Sequence, residues 1–219
     1  MLKDLYLEIK SFLKGKIIDA LVPPLLFVSL NSLFGLFIGL MGSISTSIFL
    51  LFFRWIRKEE IKYGLVGLIM LVIAGILTIL TNNPNTYFLP DMITNTLIVI
   101  SIIVTTFLKM PFAAYASHLT RSWPLEWYWR EDIKPAYLEV SIIWGILFSL
   151  KLVIQIINLF GSNLNIGIIN LLLGFPFTLT IMSVSYIYGI MRLKSLHGPS
   201  VDEFKMNKDK PYVGQTKGF

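Results

Sequence analysis

Long apolar runs separated by short polar intervals organise this chain. Six of them reach membrane-spanning length, at residues 17–34, 36–53, 64–81, 92–108, 137–159 and 166–191. A helix needs about 20 apolar residues to cross the roughly 30 Å hydrocarbon layer. Residues 17–53 continue without a charged loop, and only the turn chemistry from Asn31-Ser32 to Gly35 divides them into two spans. Gly35 and Gly39, four apart, let the second of these approach a neighbour closely. Ahead of them Leu2, Leu5, Ile9, Phe12 and Leu13 share one helical face, with Lys3, Asp4, Lys10, Ser11 and Lys14 largely elsewhere. That pattern predicts an amphipathic interfacial helix over 1–16. Pro23-Pro24 and the lack of a small-residue cleavage site speak against a cleavable signal. Residues 195–219, rich in Lys, Gly and Pro, predict a flexible basic cytoplasmic tail. The fold class is all-α: a polytopic membrane protein with six transmembrane helices within 17–194 and the interfacial helix before them.

Composition agrees. The 219 residues are 55% hydrophobic and 15% charged, with a mean hydropathy of +0.71, more apolar surface than a soluble domain of this length can hide. Charge then sets the direction. Eighteen of the nineteen lysines and arginines fall in alternate gaps between the spans, and the other gaps hold none. Cytoplasmic loops retain positive charge, so both termini are expected inside, in the cytoplasmic (plasma or inner) membrane. The net charge of +6 flanks spans instead of forming a patch. It points to the bilayer and its anionic lipid headgroups, and away from nucleic acid. There is no cysteine, which excludes disulfides and thiolate-held metals.

The nineteenth cation, Lys151, falls near the middle of the fifth span. A lysine there costs about 2.5–3.5 kcal/mol on insertion scales and usually faces a bundle interior or a watery cavity. Gln155 and Asn158 follow at i+4 and i+7, so the three share one helical stripe. A partner for Lys151 should come from the outer half of another span, where Asp91 and Asn95 stand at the right depth. Two roles compete: a polar cluster that specifies helix pairing, and a site for an anionic group or a proton. On a second face of this span Ser141, Gly145 and Ser149 form a small-residue stripe suited to close helix contact.

The connection 109–136 carries His118, Arg121, Trp123, Trp127, Trp129 and Arg130. Tryptophans beside cations belong to the headgroup belt, so this segment is expected against the cytoplasmic membrane surface, with Arg121 and Arg130 suited equally to lipid phosphates or to a substrate. Tyr87 and Phe88 would suit the opposite interface. His118 has no second histidine nearby and no HExxH around it, so no metal site is expected. No phosphate loop, dinucleotide fingerprint or catalytic triad pattern is present either. The reading is therefore non-enzymatic, with no catalytic residue and no cofactor.

Residues 87–112 and 117–144, with Lys151 and Gln155, carry a resemblance. Pro90 with Asn95, Lys109 with Pro111, the run Pro135-Ala136-Tyr137, and a basic residue with glutamine deep in the fifth span recur in it. On these features the chain resembles an uncharacterised group of bacterial six-span membrane proteins similar to the intracellular septation protein A type. Those carry arginine where this chain has Lys151, so a bidentate grip on an anion is not carried over. The resemblance implies a cytoplasmic-membrane protein tied to envelope synthesis or division, and brings no catalytic residues.

Two functions are expected from this. The first is a non-enzymatic component of envelope maintenance or division, acting through lipid, membrane-protein partners or a second copy of itself. The second is a small transporter or channel with its site around Lys151, Asn95 and Gln155. A watery, polar pocket reaching Lys151 would favour the second, and a dry, packed surrounding the first.

Overall fold

A computed structural model describes residues 16–160 and 166–219, and all regular structure among them is helical. The expected amphipathic helix at 1–16 lies outside the described residues apart from its last position, as does the turn 161–165. The long helices are α1 (Lys16–Phe34), α2 (Leu36–Ile56), α3 (Lys62–Thr81), α4 (Leu89–Phe107), α7 (Lys134–Phe160) and α9 (Phe175–Leu196). Shorter ones are α5 (Phe112–Arg121), α6 (Leu125–Tyr128), α8 (Ile166–Leu173) and α10 (Val201–Lys205), with a 3-10 helix at Pro84–Phe88.

Five segments are long and apolar enough to cross a membrane: Leu36–Ile56, Gly64–Thr81, Pro84–Phe107, Lys134–Phe160 and Ile168–Leu196. Their outward faces carry Phe37, Ile69, Leu80, Ile146 and Phe160, apolar side chains in numbers that suit contact with a lipid bilayer. Five of the six expected spans are thus present. The apolar part of α1, Val22–Phe34, covers about 20 Å at 1.5 Å per residue, less than the hydrocarbon layer. The last span is broken at Gly174, and α9 restarts with Pro176 in its first turn, where a missing N–H costs nothing.

Contacts group the described residues into two units. In the unit comprising 16–95, 151–160 and 166–178, α1 packs on α2, α2 on α3, and α8 on α1 and the 3-10 helix. Gly35, at φ +86°, makes the one-residue turn between α1 and α2. A Cβ on Gly39 would stand 3.0 Å from the Asn31 backbone nitrogen, so this glycine allows the close approach expected of it. The core of the unit is an aromatic stack. Phe27 lies 3.8 Å from Tyr87, nearly parallel, with Phe88 edge-on, and Tyr87 Oη hydrogen-bonds Ser43 Oγ at 2.8 Å. Tyr87 and Phe88 are therefore buried, not at the outer interface where the sequence pattern puts them. Asn83 caps the 3-10 helix by accepting from the Asn85 N–H, and Pro84 starts it. That turn folds the two rings inward.

The other described unit, 96–150 with 179–219, is built on aromatic residues of α6 and α7. Trp127, Tyr128 and Tyr137 are fully buried, with ring centroids 4.9–6.0 Å apart and edge-to-face. Gly145 meets Ile102 of α4 at 3.1 Å from where its Cβ would be, and Ser141 Oγ accepts from the Ala113 N–H at 3.0 Å. Ser141 and Gly145 of the small-residue stripe thus make close contacts, while Ser149 lines an open cavity.

The tail corrects the sequence reading. Residues 198–219 are not a flexible extension: they fold onto this aromatic core. Ser200 and Glu203 form a capping box that starts α10. Trp127 Nε1 donates to Pro199 O at 2.9 Å, Tyr186 Oη accepts from the Gly218 N–H at 3.1 Å, and Phe219 stacks on Tyr137 at 4.3 Å. Glu203 ties the segment together, accepting from the N–H groups of Val213, Gly214 and Ser200 and from Lys208 Nζ. The Val213 and Ser200 N–H groups, then the Lys208 ammonium, hold its carboxyl far below the usual carboxylate range. A carboxyl lowered by folding stabilises above its unfolded pKa of about 4.3, and that contribution is lost as pH falls toward the folded value. Acidifying the purified protein below about pH 4 should therefore loosen 198–219 and red-shift the fluorescence of Trp127 as it loses its cover. Glu203→Gln should show the same shift at neutral pH. An acid-insensitive wild-type spectrum, or a Glu203→Gln spectrum unshifted at neutral pH, would count against this role for Glu203.

Candidate functional site

Lys151 and Gln155 project from one face of α7 onto Asp91 in the first turn of α4. Lys151 Nζ donates to Asp91 Oδ1 at 3.1 Å and lies 2.9 Å from Oδ2. Gln155 Nε2 donates to Asp91 Oδ2 at 2.7 Å, and Asn95 Nδ2 donates to Gln155 Oε1 at 3.3 Å. Lys151, Gln155 and Asn95 are 2%, 1% and 2% exposed. The Asp91 side chain is 43% exposed. A lone ammonium in a span is costly, and the i, i+4 spacing of Lys151 and Gln155 lets one carboxylate answer both. The expected contact of Lys151 with Asp91 is direct, and Asn95 joins it through Gln155.

Asn158, on the same stripe, is not drawn in. Its side-chain nitrogen is buried with no hydrogen-bond partner, while its carbonyl accepts from Asn85 Nδ2 at 3.2 Å. Asn83 Nδ2 reaches the next carbonyl, of Leu159, at 3.5 Å. Lys151 lies seven residues before Asn158, about 10 Å along the helix axis, so the ion pair sits well below the 83–85 turn.

Beside the pair is a cavity of about 420 Å³, within the usual range for a ligand site. Pro23 and Pro24 of α1, Leu50 and Leu51 of α2, and Leu68, Leu71 and Ala74 of α3 wall it with apolar surface. Asp91 borders it at one end and Arg54 at the other, and Lys151 is not among its lining residues. Chemically, the four-residue network is an electrostatic tie between α4 and α7, with both carboxylate oxygens engaged. Among the described residues no three His, Cys, Asp or Glu side chains converge as metal ligands.

The second expected grouping, at 109–136, is assembled differently from its sequence reading. Trp127 is fully buried and so closed to lipid, a correction to its expected place in the headgroup belt. Its indole is amphipathic, but Pro199 O, not a headgroup, takes its N–H. His118 Nδ1 is 2.6 Å from Trp123 O. The Arg121 guanidinium lies 5.1 Å from the Trp123 ring centroid, with Nε donating to Phe219 O at 3.2 Å. Arg130 makes a bidentate pair with Asp132, both bonds 2.8 Å, and that acid pushes its pKa upward. Trp123 and Trp129 are half-buried against the aromatic core. Burial raises the Tyr128 phenol, whose Oη donates to Ser117 Oγ at 3.0 Å. These side chains serve protein contacts first.

Sequence reasoning missed the Tyr87–Ser43 bond and the Glu203 cradle. The second had a visible signal in Ser200-x-x-Glu203; the first had none.

A family described as a protein of unknown function (DUF3159) matches residues 14–195. The chain belongs to that family. No curated protein and no solved structure matches it. The DUF3159 match takes in the Lys151 network, the cavity and the aromatic core, and ends before the docked segment 198–219. Its description assigns no role and lends no support to the septation protein A resemblance, which rests on the residues quoted for it.

Proposed function

We propose that the protein is a non-enzymatic, multi-pass component of the cytoplasmic membrane, of septation-protein-A-like type. It serves envelope maintenance or division through contacts with lipid and with partner helices, including further copies of itself. In this reading α1 makes a sixth passage, 1–16 lies on the inner surface, and both chain ends are cytoplasmic. The lysine and arginine distribution supports that orientation.

The observation carrying the reading is the sealing of Lys151. Its ammonium is neutralised by Asp91, and the adjoining cavity is walled chiefly by apolar side chains. A cation closed off in this way ties helices together and offers nothing to a passing solute. In cells depleted of the protein, the paired variant Lys151→Met with Asp91→Leu should restore envelope integrity as fully as wild type. A folded, membrane-inserted paired variant that fails to restore it sinks this reading. Orientation has its own test, since a chain without cysteine gives single-cysteine labelling no background. Glu59→Cys should react with reagent only from the cytoplasm and Asn82→Cys only from outside; the reverse pattern overturns the topology.

One observation favours a second reading, a small transporter or channel: the Asp91 side chain keeps 43% of its exposure and borders the cavity. Proteoliposome ion flux that disappears with Asp91→Asn supports it, and wild-type vesicles as tight as empty ones remove it.

A further inference from the structure

The cavity beside Asp91 is a groove with a defined mouth. Arg54 lies two residues from the C-terminal end of α2 and Gly64 two from the start of α3, so both mark one end. From there the wall along α3 runs through Gly67, Leu68, Met70 and Leu71 to Ala74, about 15 Å at 1.5 Å per residue. Tyr87, Phe88 and Asp91 close the deep end. The carboxylate there is not a bare charge, because Lys151 and Gln155 engage both oxygens. At the mouth, residues 54–62 carry Arg54, Arg57, Lys58 and Lys62 against Glu59 and Glu60, an excess of positive charge at a span end.

Gly67 sharpens the picture. It lines the groove, and nothing lies within 4 Å of where its Cβ would stand. Glycine inside a helix forfeits stability relative to alanine, and here it gains no close packing in return. What it keeps is space.

We propose that this groove seats one acyl chain of an anionic phospholipid whose headgroup is held at Arg54. An apolar channel entered beneath a cationic span end matches a ligand with a hydrocarbon chain below a phosphate. The Arg54 guanidinium, whose Nη1 also donates to the Glu60 carbonyl at 3.2 Å, supplies charge there rather than a two-pronged grip. The inference deepens the reading above by naming the lipid class, and rests only on its statement that the helices sit in lipid.

The test is native mass spectrometry of delipidated protein returned to mixed micelles of phosphatidylglycerol and phosphatidylcholine. Wild type should retain a single phosphatidylglycerol, preferred over phosphatidylcholine by roughly tenfold, the worth of one charge-assisted contact. Gly67→Phe, which fills the groove, should lose the retained lipid. Arg54→Gln should retain lipid with no headgroup preference. Equal retention of both lipids by wild type overturns the proposal, as does phosphatidylglycerol retained by Gly67→Phe. So does a wild-type dimer that Gly67→Phe dissociates without change in lipid, since a second copy would then cover the groove. Should Gly67→Phe not fold, Arg54→Gln decides alone: an undiminished preference overturns the site. The depletion assay is a separate readout, so a wild type that restores the envelope but retains no lipid loses this site and keeps its role.

Discussion

Asp91→Asn lowers the unfolding free energy by about 1–3 kcal/mol, below the cost for a fully buried ion pair because the Asp91 side chain is 43% exposed while Lys151 is buried. Lys151 is 2% exposed, and without the carboxylate its ammonium has no counter-charge in contact among the described residues. The magnitude comes from that stranding and not from the strength of the pair. Deleting both charges should therefore be far milder than deleting one. The paired variant Lys151→Met with Asp91→Leu is expected to recover most of the loss, because apolar side chains of similar volume often match or exceed a buried pair in stability. Equilibrium unfolding in detergent, run as a double-mutant cycle, measures the coupling. A paired variant no more stable than Asp91→Asn alone would show that the network contributes something other than charge balance.

Trp127→Ala is the second large effect, about 3–5 kcal/mol, the range for truncating a buried tryptophan. The ring is fully buried among Trp123, Tyr128 and Tyr137, and its Nε1 holds Pro199 O. Its loss both opens the aromatic core and unties the docked segment. Trypsin should then cut at Lys205, Lys208 or Lys217 in the variant while sparing wild type. Trp127→Phe separates the contributions, since it keeps much of the packing and forfeits one hydrogen bond worth about 1 kcal/mol. A Trp127→Ala protein with residues 198–219 still protected would mean that Phe219 and Gly218 dock the segment unaided.

The sequence was most legible where helical periodicity and depth combine. Lys151 and Gln155 share a face because of their spacing, and Asp91 could be named as a partner because it starts a span at matching depth. Five of the spans follow from hydropathy in the same way. What stayed illegible depends on contacts between segments distant along the chain. Tyr87 and Phe88 look like an interfacial belt in one dimension; only Ser43 and Phe27, more than forty residues away, turn them inward. Trp127 reads as a headgroup anchor for the same reason, since its cover arrives from Pro199. The tail is a different case. Its composition suggests disorder, but Ser200, Glu203 and the N–H groups of Val213 and Gly214 supply local hydrogen bonding that average composition cannot register.

The 83–91 segment also bears on how the protein can be engineered. A helix ends with carbonyls that lack intrahelical partners, and here Asn83 and Asn85 answer two of those on α7 while Tyr87 is bonded to α2. Loops joining transmembrane segments are the customary place for epitope tags and fluorescent reporters. In this chain an insertion between Asn83 and Pro90 would withdraw those amides, pull the tyrosine from its seat and drag the carboxylate at the head of α4 away from its lysine. Among the described residues the short basic hairpin at 57–61 is held locally, with Arg54 Nη1 donating to the Glu60 carbonyl at 3.2 Å, and it is the better port for a fusion.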